Sequence, residues 1–435
     1  MKESRIIQII RLLRDIYVKY LKNRVKDYQM NIHENRLIED VVFAKTFTLL
    51  LNTLLVVDLF RMLVGSEVIV SIVQYAIYIR CAIYVYWQVA NCKKFKIDKN
   101  LFYSICFLVI TMSISYLVCP DIKRSYSYYI LFVITRSIPA LYFTLYLDKN
   151  KLKLTFEYMR ECRFIWLLYI VVGMFWIPKH TNSWNQYSIT YGYNLLIPTC
   201  IIIYYLFKEK KIKWIIYTVI FSISMLWRGS RGAILCLLVF IVLIYIMNYK
   251  TEKRLKRYLK LMVAIVFGIV AACNFKNIAL ILGKFLQNSR TLNLLSSNIN
   301  FDSGRSHIQF LYWNEIMEHP FKFNGIFSDR IYYSKISQEI YDMTNYPHNI
   351  IVELFFQWGI LLGTIIFFIM VCGVIRSVIC INKIKNNELT CIVLIFLVSG
   401  FIKLFFSASY LVSIEFYLLV GIIICSQRVN RFKIG

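Results

Sequence analysis

No C-x-x-C pair and no nucleotide-binding loop of the form G-x-x-x-x-G-K-[ST] occur in these 435 residues. The first absence leaves the twelve cysteines without a disulfide framework or a zinc site. Eight of them (Cys81, Cys106, Cys200, Cys236, Cys273, Cys372, Cys391 and Cys425) fall inside long apolar runs. There cysteine packs as a small apolar residue, and only Cys119 lies near the outer surface. The second absence, with no soluble domain large enough to hold a nucleotide, means that this chain alone does not use ATP. No internal repeat of the kind that builds the inverted halves of secondary transporters is evident. The first 40 residues are too basic, and their apolar run too broken, for a cleavable signal peptide. Acidic residues are also scarce, 24 against 51 Lys and Arg, which leaves a net charge of +27. Nucleic acid would be one reading of that excess, but its distribution along the chain gives another.

The chain is 59% hydrophobic and 17% aromatic, with a mean hydropathy of +0.58. That is too apolar for a soluble protein of this length. Twelve apolar stretches lie near 41–64, 68–91, 101–119, 126–147, 164–179, 189–207, 214–228, 232–249, 261–282, 348–375, 388–407 and 409–426. Most approach the roughly 18–25 residues a helix needs to cross a hydrocarbon core about 30 Å thick, and a helix satisfies its own backbone there. The expected fold class is an all-α polytopic membrane protein with about twelve transmembrane helices and one large extracytoplasmic loop. With that assignment, 34 Lys and Arg fall on one side of the membrane and five in the short loops of the other. The positive-inside rule then places both termini in the cytoplasm and the long loop outside, with anionic lipid as the counterpart of the charge. The expected organisation is a cytoplasmic amphipathic basic segment (1–40), spans one to nine (41–282), the extracytoplasmic loop (283–347), spans ten to twelve (348–426) and a cytoplasmic tail (427–435). In the first segment Ile6, Ile10, Leu13, Tyr17 and Leu21 share a helical face opposed by Arg5, Arg11, Lys19 and Lys22, suited to lying on the leaflet.

Three features of the outer face suit an anionic ligand. Arg228-Gly-Ser-Arg231-Gly232 forms a tight turn between spans seven and eight. Arginine presents a planar fork that pairs bidentately with phosphate; lipid headgroup contact or helix capping is the alternative. Asp302-Ser-Gly-Arg305 opens an expected helix, 306–318, where an arginine opposing the dipole suits a bound anion. Ile308, Leu311, Tyr312 and Ile316 give that helix one apolar face, and an ordinary surface arginine is the alternative. His348, after Pro347 and followed by Asn349, Val352, Glu353 and Gln357, is a candidate general base at neutral pH. Around them stand Trp184, Asn185, Gln186, Tyr187, Trp313, Tyr332, Tyr333, Tyr341 and Tyr346, suited to sugar rings or simply to the interfacial belt. Neither D-x-D nor a cluster of His and carboxylates at metal spacing occurs on this side, so no metal site and no cofactor are expected. Within the spans, Asp58 can pair with Arg61 at i, i+3. Arg80, Arg136, Lys403 and Glu415 lie deep enough to face the bundle interior or a hydrated cavity.

In this order and on this side, the motifs resemble the O-antigen ligase and Wzy-type polysaccharide polymerase family. The resemblance rests on Ser230-Arg231-Gly232, Ser303-Gly304-Arg305, Trp313, the H-P-x-x-x-x-G run from His319 to Gly325, His348-Asn349 through Glu353 to Gly359, and Gly363. It covers about residues 214–375. The H-P run carries one glycine, Gly325, where two are common in the family. The resemblance implies a GT-C-like fold and an inverting, metal-independent glycosyl transfer from an undecaprenyl-diphosphate-linked oligosaccharide on the outer leaflet. By that resemblance Arg231 and Arg305 stabilise the diphosphate leaving group and His348 orients or deprotonates the attacking hydroxyl. Arg228, Trp313, Asn349, Glu353 and Arg136 are the further candidate binding residues. The product would be a capsular, O-antigen or exopolysaccharide chain made by polymerisation. Ligase transfer to another acceptor is the first alternative and a lipid-linked-oligosaccharide flippase the second. Lipid-linked oligosaccharide, the bilayer, a chain-length regulator and a flippase are the candidate partners, and nucleic acid is not one.

Overall fold

The computed structural model describes residues 33–91, 99–119, 121, 123–176, 189–228, 231–248, 305–337, 346–384 and 386–426. These residues are overwhelmingly helical, with no strand among them. Six helices are long and apolar enough to cross a membrane, and four shorter apolar helices accompany them. The chain is an all-α polytopic membrane protein. The amphipathic stretch before residue 33, span nine (261–282), the loop up to Gly304, and the Trp184–Tyr187 and Tyr341 aromatics lie outside the described residues.

Helices α1 (His33–Val64) and α2 (Glu67–Asn91) form a hairpin that turns through Gly65 at φ 67°. The sequence pairing of Asp58 with Arg61 holds, at 3.3 Å. α3 (Lys99–Val118) is followed by α4 (Lys123–Phe132), which passes through a π turn, Val133–Ser137, into α5 (Ile138–Leu145). Pro139 has no N–H to offer the carbonyl four residues back, and the wider turn lies where that bond is missing. α6 (Lys149–Glu161) occupies what the charge pattern treats as a basic loop. Asp148 caps it by accepting from the Lys151 amide, and Leu152, Phe156 and Met159 are buried beside α1. α7 (Arg163–Val171), continued by a π turn to Trp176, leads to α8 (Ile189–Glu209), α9 (Ile212–Arg228) and α10 (Arg231–Asn248). The described part of the loop contributes α11 (Arg305–Glu318) and α12 (Ser328–Ser337). The long α13 (Ile350–Ile384), α14 (Asn387–Gly400) and α15 (Ile414–Cys425) complete the chain.

The core sits on α1, α5, α8, α14 and α15. From Leu389 to Gly400 every residue of α14 is buried, and the Phe47 and Phe143 rings stack at 5.1 Å with Phe396 at their edge. By contrast α2, α3 and the far half of α13 leave Ile72, Ile79, Phe107, Phe368 and Ile369 exposed, the face a bilayer covers. Arg136, Lys403 and Glu415 are inward as expected, with Lys403 paired to Glu415 at 3.2 Å. Arg80 is exposed on α2 and does not face the interior.

The last two spans differ from expectation. In place of two full spans, 388–407 and 409–426, there are a 14-residue and a 12-residue helix separated by a short 3-10 turn (Ile402–Phe405) and a non-helical segment, 406–413. Twelve residues of helix rise about 18 Å against a core about 30 Å thick, so 406–413 begins α15 well inside the bundle. Non-helical backbone at that depth persists only where protein encloses it and satisfies its polar groups. Here the Phe406, Ser407 and Leu411 carbonyls accept from Arg305, Tyr346 and Tyr417. Gly400 permits the sharp return, since a Cβ there would stand 2.3 Å from the Glu415 carbonyl oxygen.

Candidate functional site

The site is organised by a break in α13. Gly359 has φ 74° inside that helix, so the carbonyls one turn earlier lose their i+4 donors. The His319–Gly325 run replaces them. Asn324 and Gly325 donate their amides to the Gln357 carbonyl at 3.1 and 3.0 Å, and Asn324 Nδ2 donates to the Phe356 carbonyl at 2.9 Å. In return the Ile360 amide donates to the Pro320 carbonyl at 2.7 Å. Gly325, at φ 86°, also lets the run touch Ser115 of α3, whose hydroxyl accepts from the Ile326 amide at 3.0 Å. Two motifs separated in sequence are therefore one joint, and their glycines are required by left-handed backbone at both contact points.

Immediately beneath that joint is a closed polar network. Arg330, fully buried on α12, donates to its neighbour Asp329, to Glu353 Oε1 at 2.9 Å and to Ser409 Oγ at 2.6 Å. Ser409 also donates to Glu353. Gln357 donates to Asp329 at 2.8 Å and accepts from the Tyr410 hydroxyl at 2.6 Å, which in turn accepts from Trp358 at 3.0 Å. Guanidinium, two carboxylates and an amide thus tie α12, α13 and segment 406–413 into one body. Burial alone would lower the Arg330 guanidinium, but the charges of Asp329 and Glu353 hold it above its ordinary range. Glu353 and Arg330 each keep one atom, Oε2 and Nε, with no hydrogen-bond partner among the described residues.

The candidate residues lie around this body. Arg305 opens α11 and donates to the Phe406 carbonyl at 2.6 Å. Gln309, one turn later, donates to the Pro347 carbonyl at 3.2 Å, which brings α11 against the approach to α13. Asn349 accepts from the Ile351 amide at 2.9 Å and is the helix cap. His348 is not the cap. It stands just before it at φ 56°, half-buried, with its ring 4.2 Å from that of Tyr346 and its Nδ1 buried without a hydrogen-bond partner among the described residues. Burial, reinforced by the positive charges of Arg305 and Arg330, pushes the imidazole down to about 4, so it is uncharged at neutral pH.

Gly232 of the S-R-G turn meets the same segment: a Cβ there would stand 3.2 Å from Phe406 Cβ and 2.2 Å from the Tyr193 hydroxyl. Arg228 closes α9 and Arg231 opens α10; their side chains lie outside the described residues, as do Asp302, Ser303 and Gly304. Trp313 is exposed on α11, 5.9 Å from the Phe355 ring, while Tyr312 and Ile316 are buried against α13. Glu353 is enclosed by protein on every side and reaches a ligand only through its neighbours. Arg136 is not part of the cluster: it is buried over the rings of Tyr78 (4.2 Å) and Phe132 (4.9 Å). No three His, Cys, Asp or Glu side chains are grouped to hold a metal ion among the described residues.

Residues 216–368 match the O-antigen ligase family, Wzy_C. Its members are glycosyltransferase-like enzymes of O-antigen assembly, and with its spanning helices the chain is a bacterial membrane protein. No curated protein matches the chain. The family segment contains the S-R-G turn, Arg305, the loop joint and the break in α13. It ends before segment 406–413, which supplies the carbonyls and hydroxyls that Arg305, Arg330 and Tyr346 engage. Sequence reasoning missed that segment together with Asp329 and Arg330. The adjacent opposite charges of Asp329-Arg330 in an otherwise aromatic stretch, and Ser407-x-Ser409 interrupting an apolar run, are the marks that would have shown them.

Proposed function

We propose that this protein is a glycosyltransferase that passes a glycan from a lipid-diphosphate carrier, undecaprenyl diphosphate, to a hydroxyl acceptor on the outer leaflet. The observation that carries this reading is convergence. Gly232, Arg305 and Tyr346, whose ring lies against that of His348, come from three separate regions of the chain, and all approach segment 406–413 at Phe406 or Ser407. Arginines at such a point suit a diphosphate leaving group, whose growing charge they neutralise through paired N–H donors. An uncharged imidazole beside them suits the acceptor, because it can accept the proton of the attacking hydroxyl. In this reading Arg231 and Arg305 hold the diphosphate, His348 serves the acceptor, and Arg228, Trp313 and Asn349 border the cleft. Attack on the anomeric carbon opposite the departing diphosphate inverts its configuration, with arginine in the role that a divalent ion takes elsewhere.

Polymerisation of lipid-linked repeat units is the favoured form of the reaction, with ligation to a different acceptor the second. Both use the same donor. Supplying purified protein with a single lipid-linked repeat unit separates them. A ladder of products identifies a polymerase, product only after a second acceptor is added identifies a ligase, and movement of the donor between leaflets without product identifies a flippase.

A further inference from the structure

A histidine that handles a proton is usually held by a hydrogen bond on its second nitrogen, which fixes the ring's orientation and tautomer. His348 has no such bond among the described residues: Nδ1 is buried and unpartnered. What touches the ring is Tyr346, at 4.2 Å with 51° between the planes. Tyr346 is itself fixed at two further points. Its hydroxyl donates to the Ser407 carbonyl at 2.7 Å, and the Arg330 guanidinium lies 5.2 Å from its ring centroid. Arg330 in turn has little freedom, bound to Asp329, Glu353 and Ser409 with no exposed surface. A guanidinium over an aromatic face is an attractive contact that strengthens when desolvated. A chain of fixed groups therefore runs from the buried network to the imidazole, and each link comes from a different element: α12, the approach to α13, and segment 406–413.

We propose that Arg330 and Tyr346 are positioning residues which hold the His348 ring in its working orientation. This rests on the reading that His348 serves the transfer. Neither residue touches substrate; both act through the imidazole. The charges that face His348 are Arg305 from α11 and Arg330 from α12, both cations, so loosening the ring from this enclosure also lets it protonate more easily.

The test uses the full-length protein in detergent or nanodiscs with a lipid-linked repeat unit as donor. Tyr346→Leu removes the ring and should lower kcat by about 10²-fold, the usual loss for a misplaced reacting group, with KM for the donor little changed. The acid limb of its kcat/KM profile should move up toward the ordinary histidine range. Tyr346→Phe keeps the ring and loses one hydrogen bond, so it should cost about fivefold or less. If Tyr346→Leu fails to accumulate in the membrane, Tyr346→Met, which also lacks the ring, is read in the same way. His348→Gly is run alongside. If it is inactive while a ring-less Tyr346 variant keeps wild-type kcat and an unmoved acid limb, the inference is overturned and the assignment of His348 stands. If His348→Gly is itself active, the assignment and the inference fall together.

Discussion

His348 occupies left-handed backbone, φ 56°, at a cost of about 1–2 kcal/mol for a residue with a Cβ. Asn349 does the capping, so the strain at His348 serves no helix. His348→Gly should therefore leave thermal stability unchanged or slightly raised while turnover falls about 10²- to 10⁴-fold. Melting temperature and product formation measured on one preparation check this, and a melting temperature several degrees lower would return His348 to a structural role. The pH dependence follows from the burial beside two cations. A base held near 4 is in its working, uncharged form throughout the neutral range, and activity is lost as pH falls through that value. The acid limb of kcat/KM, which reports the free enzyme, should lie well below 6.5; a midpoint at or above 6.5 contradicts the assignment. Arg305 binds the Phe406 carbonyl through Nη1, and the reading uses the rest of its fork. Arg305→Lys and Arg231→Lys should thus fail to restore polymer although charge is kept; wild-type polymer from either variant removes that arginine from the site. At this scale the sequence disclosed the motif residues, whose types and order carry their chemistry. It did not disclose Arg330, because a buried arginine is intelligible only through Glu353 and Ser409, which lie far from it in the chain.

The broken α13 shows how elements, rather than residues, make the site. Without the turn at Gly359 the Phe356 and Gln357 carbonyls would be used within the helix and the His319–Gly325 run would have nothing to dock on. A Cβ at Gly359 would stand 3.1 Å from the Phe321 carbonyl carbon, on backbone at φ 74°. Gly359→Ala should accordingly destabilise the protein by about 1–3 kcal/mol, seen as a lower midpoint of thermal unfolding in detergent, and should reduce turnover because the joint that orients α12 and α13 loosens. An unchanged midpoint would mean that the break in α13 does not depend on glycine. Hydropathy alone could not have found the short α14 and α15. Leu404, Phe405, Phe406, Ala408 and Leu411 are as apolar as any spanning helix, but they line protein instead of lipid, and Ser409 among them is satisfied by Arg330 and Glu353 on other helices. Helix α6 escaped for the opposite reason: its basic residues mark the membrane side, and that pattern masks the Leu152, Phe156 and Met159 stripe beneath.

Over the whole molecule the apolar pattern was sufficient for the fold class, because length and composition are what a bilayer demands of a helix. It could not show that motifs from the S-R-G turn, the loop and α13 meet at segment 406–413, since that depends on how α8, α10, α14 and α15 pack. The central claim is that this meeting point cleaves a lipid-diphosphate-linked glycan with arginines in place of a metal ion. It is tested most directly by following release of undecaprenyl diphosphate from a lipid-linked repeat unit by the purified protein, with and without EDTA. The account predicts protein-dependent release that accompanies glycan transfer, proceeds at the same rate in EDTA and is lost in Arg305→Lys. Release that stops in EDTA and returns with a divalent ion, or no release with the donor and every acceptor offered, contradicts it.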